Sequence, residues 1–265
     1  MPWNSWKKLP LPVIGMVHLW PLPGTPRSEL SLLDIRDQAL RDAEALVSGG
    51  VHGLMIENFG DTPFEPGCVP PATIAQLTWL LAEVKRLAAT IPCGVNVLRN
   101  DALAALAVAA AAGGEFIRVN VLTGARVTDQ GIIQGQAHEL LRERKRLNAG
   151  AIQIWADVDV KHSAPLAPRP ISDEVGDLVY RAHADAVIVT GRSTGAATSL
   201  DDLQQVITAA AGKPVIVGSG VSARNIANLR GKAAAVIVGS SLKVDGVATN
   251  GVDPQRVKEL LSLLA

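Results

Sequence analysis

Short apolar runs recur along the chain at fairly regular intervals, and longer amphipathic stretches separate them. Most runs are rich in β-branched residues, and several end in Gly, Ser or Asn, which is typical of buried β-strands bounded by turns. The pattern predicts eight strands, at 13–17, 53–57, 93–98, 116–121, 152–158, 186–191, 214–220 and 234–240.

The stretches between these runs carry apolar residues at helical spacing. Asp101 stands at the start of one stretch as a helix cap, and Pro254 suits the first turn of another. The basic residues at 142–146 suit the negative end of a helix dipole. The pattern predicts helices over 37–49, 71–89, 101–112, 132–148, 172–182, 200–211, 222–229 and 254–264.

Eight strands, each followed by a helix, in 265 residues are the composition of an α/β protein with the (β/α)8 TIM-barrel fold. A doubly wound open sheet is the alternative, but no G-x-G-x-x-G follows the first strand. No linker divides the chain, so we expect one domain over 1–265 with a short N-terminal extension over 1–11. The Pro- and Gly-rich stretches 20–35 and 59–71 lie where barrel loops carry function and are candidates for a lid.

Charge and cysteine content narrow the functional classes. The chain has 25 Lys and Arg against 25 Asp and Glu, and no basic block indicates a nucleic-acid partner. Cys68 and Cys93 lie far apart without a CxxC pattern, which argues against a disulfide framework and a cysteine zinc site. The frequency of symmetric dimers and larger rings among soluble barrels predicts a homo-oligomer.

The N-terminal residues lack the apolar run of a signal peptide. The longest apolar run, 102–112, is too short to span a bilayer. The sequence therefore predicts a cytoplasmic protein. The first residues are interpreted as a simple N-terminal extension. The alternative is that Trp3, Trp6 and the lysines after Trp6 contact a membrane surface.

The run IWADVDVKH, residues 154–162, alternates charged and aliphatic residues. Because a strand sends alternate residues to opposite faces, Trp155, Asp157, Asp159 and Lys161 are expected on one side. Sites in TIM barrels form at the C-terminal ends of the strands, and the other predicted strands also carry polar residues there. The charged row is therefore interpreted as part of a site, with a structural network of paired charges as the alternative.

Acid–base chemistry is the role expected of Asp157, Lys161 and Glu57. The carboxylates near Lys161 are expected to keep it charged, which favours ion pairing or substrate binding over an imine. Carboxylates also suit magnesium, so His18, Glu57, Asp157 and Asp159 leave a divalent cation as an alternative, although their spacing specifies no metal. The residues expected to orient the substrate are Asn96, Arg118, Asn120 and Thr190.

The turns GSGVS (218–222) and GSSLK (239–243) follow the last two predicted strands. Loops at this place in TIM barrels often form a phosphate site, because small residues let backbone N–H groups approach phosphate oxygens and hydroxyls add donors. Ordinary tight turns are the alternative. The predicted phosphate-binding residues are Gly218, Ser219, Gly220, Gly239, Ser240 and Ser241.

Several runs along the chain resemble the BtpA family. They are GMVHLWPLPG, GLMIENFGDTPF, GVNVLRNDALAALAVA, FIRVNVLTGARVTDQGIIQGQAHELLR, ADVDVKHSAPL, TGRSTG, PVIVGSG and SSLK. The resemblance extends from residue 12 to about 264 and implies a TIM barrel of the ribulose-phosphate-binding type. In cyanobacteria it implies a factor that stabilises photosystem I reaction-centre proteins, peripheral to the thylakoid. The family also occurs in organisms without photosystem I, and it implies no catalytic residues, so the assignments above rest on position and chemistry.

Two functions follow. The first is an enzyme or binding protein for a phosphorylated metabolite, such as a sugar phosphate or a nucleotide-derived compound, with isomerase, aldolase and hydrolase chemistry left open. The second is a non-catalytic assembly factor for photosystem I. The first predicts that mouth substitutions such as Asp157→Asn abolish function, and the second predicts this of surface or N-terminal changes.

Overall fold

Eight parallel strands close into a barrel in the computed structural model, which describes residues 2–191 and 199–264. In chain order the strands are β1 (Val13–His18), β2 (Gly53–Glu57), β3 (Cys93–Asn96), β4 (Phe116–Val119), β5 (Ala125–Thr128), β6 (Gly131–Gln134), β7 (Gln153–Val158), β8 (Ala164–Pro165), β9 (Ala186–Val189), β10 (Val215–Val217) and β11 (Ala235–Val238). Around the barrel their order is β1-β2-β3-β4-β7-β9-β10-β11, and β11 pairs with β1. The predicted TIM barrel and all eight of its predicted strands are confirmed. Within the run TGRSTG, residues 192–195 lie outside the described ranges.

Helices precede, connect and follow the barrel strands. They are α1 (Pro2–Trp6), α2 (Leu32–Gly49), α3 (Pro71–Ala88), α4 (Ala102–Ala112), α5 (Ala137–Arg146), α6 (Ile171–Gly176), α7 (Leu200–Ala209) and α8 (Pro254–Ser262), with a π-helical turn (Asp177–Arg181) after α6. Asp101 caps α4 as predicted, because its side chain accepts the Ala104 N–H at 2.9 Å. Helix α2 begins earlier than predicted, since Ser31 and Asp34 form a capping box.

The helix predicted over 132–148 is wrong in its first part. Strands β5 and β6 form an antiparallel hairpin, and β8 joins them in a small three-stranded sheet. The hairpin turns at Gly131, whose φ of 99° is readily available only to glycine. Helix α5 therefore begins only at Ala137.

The helix predicted over 222–229 shrinks to a 3-10 turn at Ile226–Leu229. The Asn225 side chain accepts the Ser222 N–H at 2.9 Å and donates to the Gly220 carbonyl at 2.8 Å. Such local side-chain bonds compete with helical backbone bonds, and here they hold the segment as a loop.

The N-terminal end of the barrel is filled with aromatic side chains. Trp155 of β7 stacks on Phe116 of β4 with ring centroids 3.8 Å apart. Helix α1 lies within the predicted extension over 1–11, and its Trp6 is buried beside Trp155 and donates its indole N–H to the His52 carbonyl at 2.9 Å. None of the helices within 2–191 and 199–264 is long and apolar enough to cross a membrane.

Candidate functional site

Residues from the C-terminal ends of all the barrel strands meet at the mouth of the barrel, and most of them are polar. Parallel pairing puts His18 level with Glu57, Glu57 level with Asn96, and Asn96 level with Arg118. Around the mouth the strands contribute Asn96 (β3), Glu57 (β2), His18 (β1), Gly239 (after β11), Gly218 (after β10), Thr190 (after β9), Asp157 (β7) and Arg118 (β4).

A pocket opens at the centre of this ring, with about 470 Å³ of empty space including its open mouth. The predicted site residues that line it are Glu57, Arg118, Lys161, Gly218, Ser219, Gly220, Gly239 and Ser240. Sequence reasoning missed Met16, Phe59, Val221 and Ile237 as lining residues and proposed His18 only as a cation ligand. The alternation in VIGMVH, which puts Met16 and His18 on one face, is the signal that could have found both.

The other predicted residues lie behind the wall of the pocket. Asn96 donates to Glu57 at 2.7 Å, and Asn120 donates to Asp157 at 2.6 Å. Thr190 lies against Gly218. Ser241 donates to the carbonyl of Val221 at 2.7 Å and so links the two Gly-Ser turns. These residues support the lining residues rather than face the pocket.

Arg118 and Asp157 form a buried ion pair in the wall. The Arg118 Nε lies 3.2 Å from both carboxylate oxygens, and one Nη lies 3.0 Å from Asp157 Oδ2. Burial lowers the pKa of Arg118, but Asp157 and Glu57 raise it by more, so the net pKa lies above the usual value. Arg118 is thus a permanent cation at the pocket, fixed in place by Asp157.

His18 and Glu57 place two hydrogen-bond acceptors side by side. The His18 Nδ1 lies 3.1 Å from the Ala248 carbonyl, which can only accept, so Nδ1 carries the hydrogen. Burial lowers the pKa of His18 to about 4, although Glu57 opposes the shift. The neutral ring then presents Nε2 as an acceptor, 3.9 Å from Glu57 Oε1.

Lys161 lines the pocket as predicted, but Asp159 leaves the charged row. Strand β7 ends at Val158, and Asp159 has a φ of 47°, so the alternation stops there. The exposed Asp159 carboxylate pairs instead with Arg126. Burial and then Arg118 lower the pKa of Lys161, and they outweigh Glu57 and Asp157. The expected support of Lys161 by Asp159 is therefore wrong.

The two Gly-Ser turns offer donors to the pocket. The hydroxyl of Ser219 is buried and has no hydrogen-bond partner within the described residues. In the same ranges, the backbone N–H groups of Ser219, Gly220 and Ser240 donate to no protein acceptor. These are the donors that a phosphate would accept from.

Close packing leaves no room for a side chain at Gly218 and little room for one at Gly239. A Cβ on Gly218 would lie 2.4 Å from Ile188 Cγ2, and one on Gly239 would lie 3.1 Å from the His18 ring. Lys243, which ends the GSSLK motif, is fully buried and donates to Asp42 of α2 at 2.6 Å. The lysine of this motif therefore anchors the turn and does not reach the pocket.

The four residues suggested for a divalent cation do not assemble. Asp157 is engaged by Arg118 and Asn120, and Asp159 points away to Arg126. Across residues 2–191 and 199–264, no three His, Cys, Asp or Glu side chains are grouped to hold a metal ion.

Comparison with known sequences gives matches along nearly the whole chain. A family model described as the BtpA family matches residues 10–265. The photosystem I biogenesis protein BtpA of Synechocystis is 45% identical over 254 residues, which cover 96% of this chain and 88% of that protein. An uncharacterized protein of Pyrococcus furiosus is 44% identical, with 95% and 94% covered, and a mitochondrial one of Caenorhabditis elegans is 34% identical, with 94% and 91% covered.

Solved structures share the fold at low sequence identity. Phosphoribosyl anthranilate isomerase from Thermus thermophilus superposes with a TM-score of 0.57 at 11% identity, covering 96% of this chain and 98% of that one. A geranylgeranylglyceryl phosphate synthase from Thermoplasma acidophilum, in complex with sn-glycerol-1-phosphate, gives 0.56 at 13% identity, covering 99% and 96%. At such identities the likeness shows the TIM-barrel fold alone.

Proposed function

We propose that this chain, which belongs to the BtpA family, is an enzyme. It would hold a phosphorylated small molecule in the mouth pocket and move a proton on it. One observation carries this proposal. The Ser219 side chain lines the pocket, is buried, and has a hydroxyl without a partner in the described residues. A buried polar group left unpaired costs about 1–3 kcal/mol, and a bound phosphate oxygen would relieve that cost.

The neighbouring groups support a phosphate at the same place. The open N–H groups of both turns belong to residues that line the pocket, and Arg118 supplies a fixed positive charge at its wall. Preorganised donors and a buried cation stabilise an anion without having to reorganise when it binds.

Proton transfer is assigned to Glu57 and Lys161, which line the same pocket. Glu57 is held by Asn96 through one oxygen, and its other oxygen lies nearest His18. Lys161 lines the same space, and its burial lowers its pKa, which makes its proton easier to transfer. Asp157 acts by orienting Arg118. Isomerisation, aldol cleavage and hydrolysis all use such a pair of proton carriers.

The relatives favour an activity independent of photosystems. The chain is about as similar to the Pyrococcus furiosus protein as to the Synechocystis protein. The matched proteins of Pyrococcus furiosus and Caenorhabditis elegans carry names that do not refer to a photosystem. A pocket common to all of them would serve a chemistry that does not depend on photosystem I.

The direct test is a thermal-shift titration of the protein with inorganic phosphate. A ligand at about 100 times its dissociation constant stabilises a protein by about 2.7 kcal/mol. We expect phosphate to raise the melting temperature of the wild type and not that of Ser240→Asp, which places a negative charge among the phosphate donors.

Ser262→Asp is the matched control, because it makes the same change on the exposed face of α8. It should respond to phosphate as the wild type does. A folded wild type that neither phosphate nor a panel of sugar phosphates stabilises would overturn the proposal.

A role in photosystem I assembly is a second candidate, favoured by the 45% identity to the Synechocystis protein. It would use the surface of the barrel, with association at the thylakoid. Replacement of the Synechocystis gene by this chain, with and without Ser240→Asp, separates the two. Rescue of photosystem I by both versions supports assembly, and rescue only by the unmodified chain supports the enzyme.

A further inference from the structure

The acceptor pair of His18 and Glu57 lies directly beside the proposed phosphate turns. Strand β1 is hydrogen-bonded to β2 on one side and to β11 on the other. A Cβ on Gly239 would come within 3.3 Å of His18 Nε2, so the imidazole packs on the glycine of the second turn. A short ligand with its phosphate at this turn would therefore bring its next polar group to His18 and Glu57.

These two side chains have no hydrogen to share with each other. The Glu57 carboxylate only accepts, and the ring nitrogen of His18 that faces it carries a lone pair when the ring is neutral. At 3.9 Å the two atoms are too far apart for a hydrogen bond. A donor supplied by the ligand fits between them.

The charges of the pocket select a neutral donor. Lys161 and Arg118 line the same space, so an ammonium group would meet two cations. The same two cations would attract a carboxylate, but beside Glu57 it would meet a like charge, and it has no hydrogen to donate to Glu57 or His18.

We propose that His18 and Glu57 select phosphorylated alcohols, with a neutral hydroxyl close to the phosphate, and reject phosphorylated carboxylates. The inference rests on the proposed function, because it places the phosphate at the turns after β10 and β11. It adds the substrate class: a short phosphorylated alcohol or sugar phosphate whose hydroxyl donates to Glu57, the group assigned to proton transfer.

Three probes test this selection by isothermal titration of the whole chain: inorganic phosphate, 2-hydroxyethyl phosphate and 2-phosphoglycolate. The last two differ only in a terminal hydroxymethyl or carboxylate group. We expect the hydroxyethyl ester to bind at least about tenfold more tightly than phosphoglycolate, since like charges in one pocket repel. In Glu57→Gln, which keeps an acceptor for Asn96 but removes the charge, the ratio should fall to about threefold or less.

Glu65→Gln is the control, because it removes an exposed carboxylate from the loop after β2 and should keep the full preference. Phosphoglycolate binding as tightly as the hydroxyethyl ester would overturn the inference, while binding of inorganic phosphate would leave the proposed function standing. A preference that survives in Glu57→Gln would overturn the assignment to Glu57. If none of the three probes binds, the inference is refuted, and the thermal-shift panel of sugar phosphates then decides whether the phosphate site itself stands.

Discussion

The two ends of the barrel are built from the same strands but have opposite character. At the N-terminal end, Phe116 and Trp155 stack, and the indole N–H groups of Trp155 and Trp6 donate to Gln153 and to the His52 carbonyl. The neighbouring Trp3 indole is the one ring of this cluster whose N–H lacks a partner in the described residues. At the C-terminal end, the buried hydroxyls of Ser219 and Thr190 find no partner in the described residues.

This difference separates stability from function. Aromatic side chains packed at one end bury large apolar areas and stabilise the fold. Unpaired buried polar groups at the other end cost stability, and proteins retain such groups where a ligand completes them. Substitutions at the N-terminal end, called the closed end below, should therefore change the free energy of unfolding. Substitutions at the mouth should change the affinity for the ligand.

The largest effect is expected at the closed end. Trp155→Ala removes a fully buried ring from the stack with Phe116 and should lower the free energy of unfolding by about 3–5 kcal/mol. Urea denaturation measures the loss, and Trp155→Phe should lose much less because a ring remains. Phosphate affinity of the folded variant should stay within about twofold of the wild type. A large loss of affinity with little loss of stability would break the comparison.

A smaller effect is the dependence of the unfolding free energy on pH, which His18 at the mouth contributes. The unfolded chain protonates His18 below its usual pKa of 6.5, and the folded protein only near 4. Protonation between these values favours the unfolded chain, so the contribution of neutral His18 is complete above about pH 6.5 and is lost as the pH falls towards 4. The drop in unfolding free energy from pH 7 to 4.5 should be about 2 kcal/mol smaller in His18→Gln than in the wild type.

His138→Gln is the control for this experiment, because it removes an exposed imidazole from α5. Its pH profile should follow that of the wild type. An unchanged pH profile in His18→Gln would show that the His18 ring is not held neutral in the folded protein.

The smallest effect on stability is expected from Ser219→Ala. Removal of an unpaired buried hydroxyl should leave the unfolding free energy unchanged or raise it by up to about 1 kcal/mol. Phosphate affinity should fall about tenfold, because one donor is lost. Ser5→Ala, which removes a hydroxyl bonded to Pro2 at the closed end, should not change the affinity. Equal affinities of Ser219→Ala and the wild type would remove Ser219 from the site.

Sequence patterns predicted the fold better than the contacts in the site. Each buried strand is a short run of apolar, β-branched residues, so the local sequence predicts all eight. The hairpin in ARVTDQGIIQ is not predictable from periodicity, because its Ile132 and Ile133 also fit a helical period. The alternation of strand residues predicts Asp159 on the same face as Asp157. The strand ends at Val158, so this prediction is wrong.

By itself the sequence determined the barrel, the polar character of its mouth and the two Gly-Ser turns after the last strands, because each depends on residues close together in the chain. Only the tertiary structure decided that Asp157 is engaged by Arg118, 39 residues away, and that Lys243 is anchored by Asp42, 201 residues away. It also decided that His18 and Glu57 face each other as acceptors. Hydrogen-bond partners of this kind depend on which strands become neighbours and at what register, and no local period in the sequence encodes that pairing.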